Sequence, residues 1–139
     1  MIQVFIDSDV ILDVLAERQP FFKHSAHVLS LSEQNKVAGC TTALVFANVH
    51  YLLKKHRSKP FAESQLRKLR IILDIIPLTE KHVDMSLNSG FNDFEDALQN
   101  FSAEGSGTTC ILTRNKQDYR QSRLSVLTPE EFLTLHNYI

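Results

Sequence analysis

This sequence predicts an α/β fold built on a parallel sheet, and three observations carry that prediction. Apolar strand-like runs without polar alternation stand at Val4-Phe5-Ile6 and at Cys110-Ile111-Leu112 within Thr109–Thr113, the pattern of strands covered on both faces. Between the strand-like segments lie apolar residues at helical spacing, in the order βαα-βαα-βαα-β-βα. The two strongest strands each run into polar residues, Asp7 and Asp9 after the first and Arg114, Asn115 and Asp118 after the other. In open α/β sheets that carboxyl edge is where ligands bind.

The elements follow in order. After Val4-Phe5-Ile6, Val10, Ile11, Val14 and Leu15 resume at helical spacing, and Ser8 or Asp9 is placed to cap that helix. A corner at Glu17-Arg18-Gln19-Pro20 precedes a second helix, expected from about Pro20 to Gln34. Val37-Ala38-Gly39-Cys40 reads as a short strand, and Thr41 or Thr42 caps a helix from Ala43 to about Lys55 with a stripe of Val45, Val49, Leu52 and Leu53. Ser58-Lys59-Pro60 breaks it, and a fourth helix runs to about Leu73. Ile75-Ile76-Pro77-Leu78 is a brief strand whose proline suits a sheet edge. A fifth helix spans about Glu80 to Leu87. Asn92 and Glu95 are spaced as a capping pair for a sixth, with Phe94, Ala97, Leu98 and Phe101 as its buried face. Ser125-Val126-Leu127 is the last strand. Thr128-Pro129-Glu130-Glu131 then opens the last helix with a cap, a proline at its first position and a glutamate three residues on.

Length and composition set the bounds. The 139 residues suffice to bury a core without disulfides or a structural metal, and a single domain over residues 1–139 is expected. Hydrophobic residues make up 43% and charged residues 22%, the balance of a soluble globular chain. A net charge of −1 neither favours nor disfavours nucleic acid, so the distribution of charge has to decide. The two cysteines, Cys40 and Cys110, both fall in expected core strands and read as buried thiols rather than metal ligands. No N-terminal signal pattern and no apolar run of membrane length is present, so a cytoplasmic location without membrane association is expected.

The chemistry gathers at the carboxyl edge. Asp7 and Asp9 follow the first strand, Asp93 and Asp96 open the sixth helix, and Asn115 and Asp118 follow the strand at 109–113. Carboxylates in a first helical turn are favoured by free N–H groups and the helix dipole, which is the plain structural reading of Asp93. Asp96 lies among core residues and next to the sheet. Oxygen ligands without clustered Cys or His suit Mg²⁺ or Mn²⁺. Crowded acids repel and take up protons, and a cation relieves that conflict. Basic residues stand in two groups, one over Lys54–Arg70 and one of Arg114, Lys116, Arg120 and Arg123. The second adjoins the acids, so phosphate contact is expected there, with Arg114 and Lys116 foremost. Tyr51 and Tyr119 are open to two roles, stacking a single-stranded base or packing in the core.

The chain resembles PIN-domain proteins, particularly the toxin-like group related to VapC ribonucleases. The resemblance rests on Phe5-Ile6-Asp7-Ser8-Asp9-Val10-Ile11-Leu12-Asp13, Asp93-Phe94-Glu95-Asp96-Ala97-Leu98, Thr113-Arg114-Asn115-Lys116-Gln117-Asp118-Tyr119 and Val126-Leu127-Thr128-Pro129-Glu130-Glu131-Phe132-Leu133, in that order. It implies a three-layer α/β/α fold with a central parallel sheet in strand order 3-2-1-4-5. Cys40 and Cys110 are then two strands, about 9–10 Å, apart and cannot pair. The resemblance further implies a Mg²⁺- or Mn²⁺-dependent ribonuclease, the toxin of a toxin–antitoxin pair, with RNA as substrate, a small antitoxin protein as partner and a homodimer as its assembly. Asp7 and Asp96 carry over as metal ligands and catalytic acids, with Asp118 and Asn115 as further catalytic positions and Asp9, Asn48 and Asp93 lining the site. One position departs from the pattern. The family's second acid, usually glutamate, falls at Asn48 in Phe46-Ala47-Asn48-Val49-His50-Tyr51, and an amide brings no charge.

Two other readings stand beside this one. A PIN fold without the glutamate could be a non-catalytic module binding RNA or protein. Asp7-Ser8-Asp9-Val10-Ile11 also partly matches the opening of haloacid-dehalogenase-like phosphatases, although Ile11 departs from that pattern and no Gly-Asp-x-x-x-Asp segment follows.

Overall fold

In the computed structural model, which describes residues 1–139, five parallel strands form one sheet. β1 (Gln3–Ile6), β2 (Ala38–Thr42), β3 (Asp74–Ile76), β4 (Cys110–Leu112) and β5 (Ser125–Leu127) lie side by side as β3-β2-β1-β4-β5. This is the order expected, with β1 at the centre. Its partners are in register on both sides, Phe5 opposite Cys40 on β2 and Ile111 on β4. Val4, Phe5 and Ile6 are wholly buried, as are Ile111 and Leu112. Each such side chain contributes about 1.5–3 kcal/mol by leaving water.

The helices are α1 (Ser8–Leu15), α2 (Phe22–Glu33), α3 (Ala43–His56), α4 (Lys59–Ile72), α5 (Glu80–Leu87), α6 (Phe94–Gly105) and α7 (Pro129–Leu135), with a 3-10 turn at Lys116–Tyr119. α2 packs against α1, α4 and α7, and α3 packs against α1 and α4, whereas α5 and α6 pair with each other and α6 lies on β2. The result is three layers, α/β/α. β2 approaches α2 and α4 closely at Gly39, where an added Cβ would stand 2.6 Å from both Leu73 Cδ2 and Ser32 Oγ. Ser32 Oγ accepts from Gly39 N at 3.1 Å and donates to the Ile72 carbonyl at 2.8 Å, tying α2, β2 and α4 at one point.

Several local expectations are corrected. The cap of α1 is Asp7, whose side chain accepts from Ser8 N, rather than Ser8 or Asp9. α2 begins at Phe22, two residues after Pro20, without a side-chain cap. β3 ends at Ile76, so Pro77 lies just outside the edge strand instead of within it. Leu52 is 45% exposed while Val45, Val49 and Leu53 form the buried stripe of α3. α6 is capped by Asp93, which accepts from Asp96 N, not by the Asn92–Glu95 pair. Its inward face is also not the apolar one read from spacing. Phe94 is exposed, and the buried residues are Ala97, Gln99, Asn100, Ser102 and Ala103. Small and hydrogen-bonded side chains let this helix lie close to the sheet: Thr42 Oγ1 on β2 donates to Gln99, and Ser102 Oγ donates to the Pro77 carbonyl just past β3. The last helix follows its sequence signature, with a reciprocal cap between Thr128 and Glu131. Both cysteines are free and buried, and burial pushes the Cys110 thiol up to about 12, so neither is a thiolate near neutrality.

Candidate active site

β1 delivers Asp7 to the carboxyl edge. Its backbone N–H still donates to the Leu112 carbonyl at 3.0 Å, so the residue is held by the sheet while its side chain leaves it. One carboxylate oxygen accepts from Ser8 N and the other from Thr113 Oγ1, each at 2.8 Å. Asp9, the second residue of α1, accepts from Arg114 N at 2.9 Å and from Thr113 Oγ1 at 3.4 Å through the same oxygen. Its second oxygen is buried and has no partner. Thr113, at the end of β4, thus touches both acids of the first segment.

α6 supplies the other wall. Asp93 at its cap and Asp96 in its first turn face Asp118 of the 3-10 turn across a cleft of about 90 Å³, also lined by Phe91, Asn92, Gln117, Arg120 and Gln121. Asp96 feels the charge of Asp93, Asp7 and Asp118, in that order. Three chain segments therefore bring their acids to one rim, as the sequence led one to expect. Burial first, and then repulsion from Asp9, pushes the Asp7 carboxyl up to about 7 despite its hydrogen bonds from Thr113 and Ser8. Partial burial and the three neighbouring acids raise Asp96 to about 7 as well. Asp9 is also raised, chiefly by burial, against the pull of the Arg114 N–H and charge. This is the behaviour of carboxylates crowded in a dry place without a countercharge. No three acidic, histidine or cysteine side chains converge into a ready-made cage. Asp7 and Asp96 are the pair that could hold a hard cation, since Mg²⁺ binds through one or two carboxylates and keeps several waters.

Other expected site residues are placed differently. Arg114 does not reach the cleft. Its Nε and Nη2 donate to the two oxygens of Asp13 at 2.8 and 3.0 Å, and its guanidinium lies 3.7 Å over the Phe21 ring. Asp13 is wholly buried and also accepts from Arg18 Nε and Ser25 Oγ, both at 3.1 Å. A buried carboxylate of this kind demands cations, and it takes Arg114 from the role of phosphate ligand. Lys116 is likewise engaged, donating at 3.0 Å to both oxygens of Glu131. Asn115 is exposed at the start of the 3-10 turn, with no hydrogen bond from its side chain. Asn48 is partly buried, and its amide donates to Glu95 at 3.1 Å. Asn100, four residues past Asp96, is buried and donates to Glu104.

Two residues with a part at or near this site, Thr113 and Glu95, were not singled out for it by the sequence, whereas Arg120 and Tyr119 were named, one within a basic group and the other as open to two roles. Arg120 lines the cleft and makes no ion pair; its place within the second basic group was the available signal. Thr113 anchors Asp7 and Asp9, and Glu95 restores a carboxylate beside Asn48. Tyr119 is 1% exposed and faces Asp7, Asp96 and Asp9, so it belongs to the core and does not offer a surface for a base. A larger concavity of about 570 Å³ lies between Pro20, Phe21, His24, Arg114 and Pro129, away from the paired acids.

Comparison with known proteins agrees with this fold. The family model for the PIN domain matches residues 3–117, and the chain belongs to the PIN-domain family. A curated relative, Ribonuclease VapC1 of Aquifex aeolicus, is 33% identical over 135 residues, covering 94% of this chain and 92% of its own. Among solved structures, VapBC2 of Rickettsia felis bound to a promoter DNA fragment is similar with a TM-score of 0.68 at 16% identity, over 91% of this chain and 97% of that one. A toxin–antitoxin complex from Klebsiella pneumoniae is similar with a TM-score of 0.68 at 17% identity and the same coverage. Family membership leaves the phosphatase reading without support, and Asp9, which that reading needs as a free acid, is bound by Arg114 N and Thr113.

Proposed function

We propose that the chain is a divalent-metal-dependent ribonuclease, the toxin of a toxin–antitoxin pair. The observation that carries the reading is the meeting of Asp7 and Asp96, from separate segments, at the carboxyl edge of a PIN fold, each raised to about 7 by burial and by neighbouring acids. Likeness to Ribonuclease VapC1 over nearly the whole chain supports RNA as the substrate. The donor set fits a hard cation: carboxylate oxygens only, mutually repelling, with an unpartnered buried oxygen on Asp9 nearby. Asp7 and Asp96 would hold Mg²⁺ or Mn²⁺, which when bound polarises a phosphate and lowers the pKa of a water.

The chain's own residues do the rest. Ser8 N and Thr113 Oγ1 orient Asp7 by donating to both its oxygens. Asp93 caps α6 through Asp96 N and thereby fixes the first turn that carries Asp96. Asp118 faces Asp96 from the opposite wall and would take a proton from the attacking water or orient it, with Asn115 at the head of the same turn. Arg120 stands in the cleft in place of Arg114 and Lys116 to receive a phosphate. Asn48 does not leave its corner of the rim uncharged, because Glu95 is hydrogen-bonded to it. That carboxylate supports the enzyme reading over the non-catalytic module.

A small inhibitory protein partner accords with the toxin–antitoxin complexes among the structural relatives, and an acidic cleft would accept a partner's arginine. No helix of the chain is long and apolar enough to cross a membrane. The test is cleavage of single-stranded RNA by pure protein with Mg²⁺, Mn²⁺ or EDTA, beside Asp7→Asn and Asp96→Asn. Metal-dependent cleavage lost in both folded variants is expected; variants that cleave like the parent overturn the assignment. Co-expression with the product of the neighbouring small open reading frame should give a stable complex, and size in solution tests the homodimer.

A further inference from the structure

We infer that the concavity between α2 and α7 is a nucleobase subsite for single-stranded RNA, with Phe21 as its stacking face and Glu130 as the group that selects guanine. The inference rests on the ribonuclease reading above and deepens it, naming what fixes a nucleotide beside the acids. Pro20 and Phe21 lead into α2 and His24 lies in its first turn, while Thr128, Pro129 and Glu130 open α7. Together with Arg114 they line about 570 Å³, within the roughly 300–1,000 Å³ of small-ligand sites. Arg114 and Thr128 stand just past β4 and β5, so the space opens on the carboxyl edge that carries the acids. Arg114 joins the two places: its N–H holds Asp9 at 2.9 Å while its side chain lies against Phe21.

Phe21 is 39% exposed and yet held in place. The guanidinium lies 3.7 Å from the ring centroid on one face, and it is itself locked by the buried Asp13 through Nε and Nη2. The rest of the ring borders the cavity. A flat apolar surface fixed in advance stacks a base at small entropic cost, and every base has a π-face to offer it. This is the surface that Tyr119, being buried, does not supply. Glu130 lines the same cavity with its side chain 69% exposed, and its ion-pair partner His24 Nδ1 stands 3.9 Å away, too far for a hydrogen bond. An ionised carboxylate only accepts. Guanine carries a ring N–H beside its amino group, a match for two carboxylate oxygens. Adenine and cytosine set a ring acceptor beside their amino group, and uracil sets its ring N–H between two acceptors.

Guanosine monophosphate (GMP) and the adenosine, cytidine and uridine monophosphates, titrated into the protein in EDTA, test this without cleavage. GMP should shift the backbone resonances of Phe21, His24 and Glu130 and bind more tightly than the other three. Phe21→Leu keeps apolar bulk over Arg114 and removes the π-face; it should weaken GMP about five-fold or more with little change in melting temperature. Glu130→Gln offers one acceptor in place of two and should level the four nucleotides. In the cleavage assay it should also spread cuts that the parent makes beside guanine. Nucleotide binding that ignores both substitutions, or shifts confined to the acidic cleft, overturns the subsite and leaves the ribonuclease reading standing. Phe21→Leu that loosens a co-expressed inhibitory protein while GMP affinity holds assigns the cavity to that partner and likewise overturns the subsite. GMP held at the cavity by a parent that cuts no RNA with Mg²⁺ or Mn²⁺ overturns the ribonuclease reading instead.

Discussion

Replacing Asp7 by Asn should stabilise the metal-free protein above neutral pH. The carboxyl of Asp7 is moved from 3.8 to about 7, first by burial and then by Asp9. A group that binds its proton more tightly folded than unfolded makes the native state the better proton acceptor between those values. Stability therefore falls as pH rises from about 4 to about 7 and stays at the lower level beyond. At pH 8 the cost for this one group is on the order of 3 kcal/mol, moderated because Asp7 and Asp9 titrate together. Asparagine removes that cost if its amide can be accommodated, and the hydrogen bonds allow it. Its carbonyl accepts from Ser8 N in place of one oxygen, and its NH₂ donates to Thr113 Oγ1, whose proton then turns to Asp9, 3.4 Å away. Thermal melting of parent and Asp7→Asn in EDTA, at pH 5 and pH 8, measures the effect. A gain of roughly 10 °C for the variant at pH 8, and about a third of that at pH 5, are expected. Added Mn²⁺ should close the gap by stabilising the parent alone. A variant that melts below the parent at pH 8 without metal refutes the argument that Asp7 is a strained acid.

Arg114→Ala should lower stability by about 2–4 kcal/mol in chemical denaturation, because Asp13 keeps only Arg18 and Ser25 as partners in a wholly buried place. Arg120→Ala should leave stability unchanged and raise the KM for RNA about five-fold, an effect that shrinks with added salt. Asn48→Glu sets a second carboxylate against Glu95, so at low salt without metal it should cost under about 1 kcal/mol at this partly exposed position, and Mn²⁺ should reverse the loss. A variant that stays less stable than the parent with Mn²⁺ present removes the metal reading of that corner. Gly39→Ala should destabilise by about 1–3 kcal/mol, since its Cβ enters the space of Leu73 and Ser32; an unchanged melting point would mean that α2 and α4 yield there at no cost.

Much of this protein is determined locally and was legible in the sequence. The run Val4-Phe5-Ile6 had to be a central strand because all three residues shed water on both faces, and Asp7 had to appear at its carboxyl edge because it is the next residue. The cap of α7 was legible for the same kind of reason, since Thr128, Pro129 and Glu131 act within one turn. Nothing local, however, chooses partners. Arg114 follows a core strand beside the acids and by sequence should meet phosphate, yet it is claimed by Asp13, 101 residues away, because a buried carboxylate must be neutralised. Asn48 turns to Glu95 on α6, 47 residues on, only because α3 and α6 approach across the top of the sheet. The inward face of α6 could not be read from apolar spacing, since its packing is carried by small residues, by the Gln99 hydrogen bond to β2 and by the Ser102 hydrogen bond to the segment after β3. Tyr119 is the fullest case: its identity was plain, but that its ring is buried and not open to solvent was decided by the packing of the 3-10 turn on α6. Local chemistry placed the acids on one rim, and the tertiary fold decided which groups are left free to act there.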